Sequence, residues 1–338
     1  MAATIHPDKI LREMSDLWVS LSKDSSAETA AGVLRACSMT LIVVAEEGAD
    51  TMQIGETLAA LMTEHPSRAI VIRLDPSSDR PLGARVFAQC WRPFGQRRQI
   101  CCEQIEITGP EAALADVPAV VLPLVAADLP VILWCRSARV FAVPAFTQLA
   151  ALAHKLVLDS AHFKDSVDIL ERMAGALQHG GQVGDFSWTR LTRWREWISQ
   201  TFENRAYLAR LPRISHIRIT HPQNAVPISA WYLGAWLTER LAKVGSKPQI
   251  SLAPVSGTGF GICGLELRAE GASPLAVSMT AGPGTIAEIR VDGVTSCTAL
   301  PESTDYLLMR EELSITGHDP VFEAVLPAAL ALAKQGAR

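Results

Sequence analysis

The stretch MTLIVVAEEGADTMQIGETLAALMTEHPSRAIVIRL, residues 39–74, decides the fold. Met39–Val44 is a short apolar run, and Ala69–Leu74 is another. Such runs have the character of strands buried on both faces. Between them Ile54, Leu58, Leu61 and Met62 recur at i, i+4, i+7 and i+8, which is one face of a helix over 50–64. His65-Pro66-Ser67 stops that helix, because proline disfavours helical backbone in the residue before it. Strand, helix and strand in this order form a βαβ unit, the building block of parallel sheets.

Working outward, Ala84–Trp91 and Gln99–Ile107 alternate in polarity and are joined through Pro93-Phe94-Gly95-Gln96, the pattern of an antiparallel hairpin. A helix is predicted over 110–126, a strand at Val131–Trp134, and another at Lys155–Leu158 that ends in Asp159-Ser160. A further helix covers 165–178. Residues 1–180 are therefore expected to form an N-terminal α/β domain, a wound and mostly parallel sheet with an added antiparallel hairpin. After the glycine-rich break at 180–184, residues 181–210 are predicted to supply a connecting helix, continuous from Asp185 to Phe202. Asp185 or Ser187 would cap it, and Trp188, Leu191, Trp194, Ile198 and Phe202 would form its apolar stripe. Residues 211–338 then read as a smaller C-terminal α/β domain with antiparallel strands. It has a strand, a helix and a strand at 214–220, 227–243 and 249–252, then β runs near 262–268, 275–280, 286–291 and 294–299. Helices at 302–313 and 319–335 close it.

Composition agrees with two folded domains. The chain has 338 residues, 49% hydrophobic and 20% charged, which gives enough apolar surface to offset chain entropy. Its longest apolar stretch, Leu114–Leu133, is broken by Asp116, Asp128 and three prolines, so no membrane partner is expected. The first twenty residues carry five charges by Trp18 and no signal-peptide block, which points to the cytoplasm. A net charge of −4 gives no chain-wide electrostatic footprint for nucleic acid. The seven cysteines, an odd number with no Cys-x-x-Cys pair, read as small buried hydrophobes of a reducing cytosol.

Candidate chemistry is sparse. Gly259-Phe260-Gly261-Ile262-Cys263-Gly264 fits G-x-G-x-x-G, but strand-like alternation follows it, not the helix whose N-terminus would hold a pyrophosphate. It reads as a flexible turn. G-x-S-x-G, H-E-x-x-H and the P-loop pattern do not occur, and the eight histidines are scattered. No catalytic residue, cofactor or metal site is therefore expected. Two cationic stretches stand out. Arg80, Arg85, Arg92, Arg97 and Arg98 have no acid between them, and 185–213 carries six arginines against three acids together with Trp188, Trp194 and Trp197. Arginine and tryptophan are enriched at binding hot spots, although a solvated helix with a buried tryptophan stripe fits the second stretch as well. On helical spacing Arg190, Arg193 and Trp197 fall away from the stripe and are the candidates for partner contact. Trp188 and its stripe would be structural, packed between domains, and Arg195 is expected to hold an interdomain carboxylate. In the first domain Glu103 alternates with Cys101, Ile105 and Ile107 on a core-facing strand side. A carboxylate there needs a cation, and Arg68 is the expected partner in a structural ion pair.

Several blocks recur together in order: Met39-Thr40-Leu41, His65-Pro66-Ser67-Arg68, Cys102-Glu103-Gln104-Ile105, Leu129-Pro130…Trp134, Asp159-Ser160, and DFSWTRLTRWR at 185–195. Across about 30–245 this set resembles the glucose-6-phosphate dehydrogenase assembly protein family (OpcA). The chain departs from it at Cys102, where the family pattern often has glycine. The resemblance implies a non-catalytic protein that binds glucose-6-phosphate dehydrogenase, promotes its active oligomer and raises its activity.

Two other readings stay open at this point. A small-anion or sugar-phosphate enzyme or sensor would use the strand carboxyl ends of the first domain, with Trp134, Asp159 and Ser160 there and His65, Ser67, Arg68, Glu103 and Gln104 nearby. Nucleic-acid binding through 80–98, where Trp91 and Phe94 interleave with arginines, is the weaker of the two, so no nucleic-acid partner is expected.

Overall fold

The computed structural model describes residues 5–24, 33–48, 51–95, 98–222, 225–256, 261–271, 274–281, 286–315 and 317–336. Two compact units are present, Met1–Leu158 and Asp159–Arg338.

The first unit contains strands β1 (Val33–Arg35), β2 (Met39–Glu46), β3 (Ser67–Asp75), β4 (Gly83–Trp91), β5 (Gln99–Pro110), β6 (Val131–Cys135) and β7 (Lys155–Leu158). Strands β5, β3, β2, β6 and β7 are neighbours in that order and all parallel. β1 joins β5 in parallel, and β4 joins it antiparallel as the added hairpin. β2 is buried from Met39 to Ala45, which is why its sequence is an unbroken apolar run. Ile42, Val44, Ile70, Ile72, Ile105 and Leu133 form the centre of the core.

Helices of this unit are α1 (Pro7–Asp24), α2 (Thr51–Leu61), α3 (Val117–Val121), α4 (Ala138–Phe141) and α5 (Phe146–Ala150). α2 buries Ile54, Leu58 and Leu61, the face predicted from their spacing. The single helix predicted over 110–126 is instead a 3-10 turn at Glu111–Ala115, then α3, then a 3-10 turn at Leu122–Leu124. Pro118 and Pro123 explain the breaks, since neither can donate the backbone hydrogen bond a longer helix needs.

The expectation of free, buried thiols fails in two places. The β4–β5 register sets Cys90 opposite Cys101, and the two form a disulfide. Cys297 is exposed, whereas Cys102 and Cys135 are buried as expected.

The second unit contains helices α6 (Ser166–Gln178), α7 (Phe186–Thr189), α8 (Thr192–Thr201), α9 (Arg205–Leu208), α10 (Ile228–Ala242), α11 (Asp305–Ser314) and α12 (Pro320–Gly336). Its strands are β8 (Gln182–Asp185), β9 (Ile214–His221), β10 (Gln249–Pro254), β11 (Gly264–Ala269), β12 (Leu275–Ala281), β13 (Ile286–Val291) and β14 (Val294–Ala299). Six of them form a mixed sheet in the order β10-β9-β11-β12-β13-β14. Only β9 and β10 are parallel, with α10 as the crossover between them. α10 packs on β9 and α12, and α12 packs on α6.

The continuous helix predicted over 185–202 is two helices. Asp185 caps α7 by accepting from the Ser187 amide, α7 ends at Thr189, and α8 begins at Thr192. The tryptophan stripe continues across the break, so the apolar period alone gives no sign of it.

Gly257, Gly259 and Phe260 of the glycine-rich turn lie outside the described residues. Two of its glycines have backbone reasons to be there. Gly261 has φ +92°, and a Cβ on Gly264 would sit 2.8 Å from Thr220 Oγ1 in the neighbouring strand.

Candidate functional site

In the first unit Glu103 is buried on β5 at the meeting point of several donors. Arg68 Nε lies 2.6 Å from its Oε2, and Trp18 Nε1 of α1 donates to Oε1 at 2.6 Å. Arg35 of β1 completes an ion pair with Oε1. Arg68 also donates through Nη1 to the Leu124 carbonyl at 2.7 Å. Donors from α1, β1 and β3 thus meet at one carboxylate, and the arrangement is a structural tie.

The other residues expected near a first-domain pocket do not join them. Arg68 stands level with Thr40, and Thr40 with Val131, near the strand starts. Trp134 stands level with Val43, three residues on, or about 10 Å further along the sheet. Trp134 is itself buried, with the Arg136 guanidinium 4.7 Å from its ring centre. Ser67 is buried at the start of β3, His65 is half-buried with its amide on the Leu61 carbonyl, and Gln104 faces Phe87 across the β4–β5 ladder. A sugar-phosphate pocket built from these residues at the strand carboxyl ends is not what the first unit presents. In the basic stretch Arg85 pairs with Glu106 at 2.9 Å, and Gln96 and Arg97 lie outside the described residues.

The second unit assembles the remaining motif residues. Asp159 and Arg190 form a bidentate pair, Nη1 to Oδ1 at 2.8 Å and Nη2 to Oδ2 at 2.6 Å. Burial opposes the charge on both, but their mutual hydrogen bonds and attraction prevail. Asp159 titrates below the usual carboxylate range and Arg190 above its ordinary value. Beside them Asp185 is fully buried. Its Oδ1 accepts from the amides of Ser160 at 3.0 Å and Ser187 at 2.9 Å, and its Oδ2 accepts from the Tyr232 hydroxyl at 2.8 Å. Burial is the dominant influence and pushes its pKa up to about 6 in spite of these donors. Tyr232, also fully buried, is pushed well above its ordinary range by burial and by the Asp185 charge.

Trp188 anchors the next layer. It packs against Tyr232 and Phe322, with ring centres at 6.0 and 5.7 Å, and its Nε1 donates to Asp319 Oδ2 at 3.1 Å. Trp194 and Trp197 are both buried, in edge contact at 5.6 Å. Trp197 is thus core, contrary to its expected outward position, because it follows Trp194 by three residues on α8 and shares its buried face. Arg190 is committed to Asp159, so of the three partner candidates only Arg193 faces solvent, 55% exposed and paired with Glu196. Among the described residues Arg195 pairs with no carboxylate, also contrary to expectation. Its guanidinium lies 3.7 Å from the Trp188 ring centre and donates to Thr192 Oγ1 at 2.7 Å.

Arg190 forms part of the lining of a cavity of about 320 Å³ with Ser160, Lys164, Ser187, Trp194 and Ser229. The Ser229 hydroxyl there is buried and has no hydrogen-bond partner among the described residues. Tyr232, Phe322, Asp319 and Ser229 escaped sequence reasoning, since they come from distant helices whose stripes look like ordinary core. Among the described residues no group of three or more metal-binding side chains occurs, and no helix is long and apolar enough to cross a membrane.

What this geometry defines is a two-unit α/β protein whose recurring sequence blocks are spent on buried ties within each unit. Two family descriptions match it in order, both of a glucose-6-phosphate dehydrogenase subunit: its N-terminal domain over 58–175 and its C-terminal domain over 181–326. The chain belongs to this family, the OpcA family. Among curated relatives, the OxPP cycle protein OpcA of Nostoc punctiforme is 27% identical over 180 residues, 52% of this chain and 38% of that protein. Its counterpart in Synechocystis is 26% identical over 191 residues, 56% of this chain and 39% of that protein. The matched segments therefore span about two fifths of the relatives' length. Among solved structures, a dehydrogenase from Chromobacterium violaceum superposes with a TM-score of 0.48 at 10% identity, over 90% of this chain and 94% of that one. That likeness is too distant to bear on function.

Proposed function

We propose that this protein is a non-catalytic assembly factor of the oxidative pentose phosphate pathway that binds glucose-6-phosphate dehydrogenase in the cytoplasm and activates it allosterically. One observation carries the reading: the family's two domain descriptions cover residues 58–175 and 181–326 in order. An activator acts by binding its partner's active state more tightly than the inactive one. A tenfold shift needs only about 1.4 kcal/mol of differential affinity, within reach of a single arginine or tryptophan anchor. Arg193 on α8 is the proposed contact, since Arg190 and Trp197 are engaged within the unit.

The purified protein, added to glucose-6-phosphate dehydrogenase from the same source, is expected to co-elute with it on size exclusion. Substrate affinity or turnover should rise. Arg193→Ala should leave the melting temperature within a degree or so and weaken activation. Unchanged enzyme kinetics at saturating amounts, with no complex on the column, overturns the proposal. Full activation by Arg193→Ala removes Arg193 from the contact surface.

A further inference from the structure

The basic stretch 80–98 covers β4 and the turn into β5. The antiparallel ladder of this hairpin runs from Gly83 opposite Thr108 to Trp91 opposite Ile100. The Cys90–Cys101 disulfide cross-links it one pair short of the turn, and Gly95 takes φ +74° within the turn. Ala84 and Val86 of β4 pack on the core of the first unit. Side chains alternate along a strand, so Arg85, Phe87, Gln89 and Trp91 share the opposite face. Phe87 there is exposed and Trp91 half-buried, and beyond them Phe94 stands fully exposed at the tip.

Phe94 is not a scattered surface apolar residue, because Phe87 and Trp91 lie on the strand behind it and Arg92 and Arg98 flank it. Both arginines are exposed, and among the described residues neither pairs with an acid. Aromatic rings and arginine are enriched at protein interfaces, where lysine is depleted, and all five cations of the stretch are arginine. The stretch carries five positive charges and no acid within a chain of net charge −4, so the surface that complements it is acidic. Clamping the turn with a disulfide reduces the ordering entropy that a free loop loses on binding.

From the exposed aromatic tip, its unpaired arginines and the clamp beneath them, we infer that the β4–β5 hairpin is a docking arm for a protein surface. Phe94 fills an apolar pocket on the partner, and carboxylates at the rim of that pocket meet Arg92 and Arg98. The partner follows from the activator reading, on which this inference rests, and is glucose-6-phosphate dehydrogenase. Arg193 belongs to the other unit and is a separate contact. A nucleic-acid track needs rings on which successive bases stack, whereas Phe87 and Trp91 stand four residues, or about 13 Å, apart along β4.

Titration of the dehydrogenase with the parent protein, Phe94→Ser, Arg92→Glu and Arg80→Glu tests the arm. All three positions are exposed, so the melting temperatures should match the parent. Phe94→Ser should weaken the complex at least about tenfold, as expected of a hot-spot ring. Arg92→Glu should weaken it by a similar factor, and more at low salt than at high. Arg80→Glu makes the same charge change ahead of β4, at the ladder end away from the tip. It should keep the parent affinity within about twofold, since it lies beyond the Debye length of about 10 Å at 0.1 M salt. Parent-like binding by Phe94→Ser or Arg92→Glu overturns the arm and leaves the activator reading standing. Equal weakening by Arg80→Glu and Arg92→Glu also overturns it, because overall charge then suffices. No complex with the parent protein removes both readings together. If Phe94→Ser instead loses binding to phosphatidylserine vesicles or to a single-stranded oligonucleotide while the complex is unaltered, the arm serves lipid or nucleic acid and the inference fails.

Discussion

Replacing Asp185 by asparagine tests the buried network directly. The carboxyl has a pKa near 6 when folded, against an ordinary value of 3.8, with burial as the main cause. The folded state therefore holds this proton more tightly than the unfolded chain does. Between about pH 4 and pH 6 it binds more protons, so this group's share of stability is full below the window and falls as pH rises through it. A rise from 3.8 to about 6 corresponds to about 3 kcal/mol, all of it lost above pH 6. Asparagine keeps the oxygen that accepts from Ser160 and Ser187, and its amide can donate to the Tyr232 oxygen once that hydroxyl turns. Asp185→Asn should accordingly match the parent near pH 4 and exceed it by up to about 3 kcal/mol at pH 8. Asp159, lowered by Arg190, stays ionised across this window in both proteins, and Glu311, raised by burial, titrates in both and cancels in the difference. Urea unfolding followed by tryptophan emission at half-unit pH steps measures that difference. Parallel curves for the two proteins, or a variant weaker at pH 8 than at pH 4 relative to its parent, would refute the reasoning.

Glu103→Ala leaves Arg68, whose side chain is only 11% exposed, without its counter-charge and frees Trp18 and Arg35, and should cost about 3–5 kcal/mol in chemical denaturation. A cost below 1 kcal/mol would mean that the tie adds nothing beyond packing. Trp188→Ala empties the space against Tyr232 and Phe322 and removes the stacking surface of Arg195, with an expected loss of about 3–5 kcal/mol. Reducing the Cys90–Cys101 bridge, which closes a loop with a separation of 11, should lower stability by at most about 3 kcal/mol in dithiothreitol, and Cys90→Ser should abolish that sensitivity.

The parts of the fold legible in sequence were those in which one residue period serves one environment. Residues 39–74 have both faces of two strands and one face of a helix buried, so their apolar pattern records the burial. The Arg68–Glu103 tie was legible for the same reason, since a charge on an apolar face must find its opposite. Less was legible where tertiary contacts act against a continuous pattern. Nothing in Trp188-Thr189-Arg190-Leu191 marks a helix end. Yet Arg190 turns to Asp159 and Thr189 meets Glu312, 123 residues away. The Cys90–Cys101 pair was missed because pairing depends on hairpin register, and Arg195 because its partner is an aromatic face.

The pairing order of the first sheet has a consequence for synthesis. Among the described strands β1 leaves the ribosome first, yet its partner is β5, whose first residue is Gln99. Sixty-four residues separate Arg35 from Gln99, and at translation rates of roughly 5–20 residues per second they take about 3–13 s to emerge. Over that interval β2 and β3 can already pair with each other, but each still has an open edge, β3 awaiting β5 and β2 awaiting β6. The most apolar strands of the chain are then the ones exposed to other nascent chains, so the yield of folded protein should depend on chaperone supply and on translation speed between codons 75 and 110 more than on the stability of the finished fold.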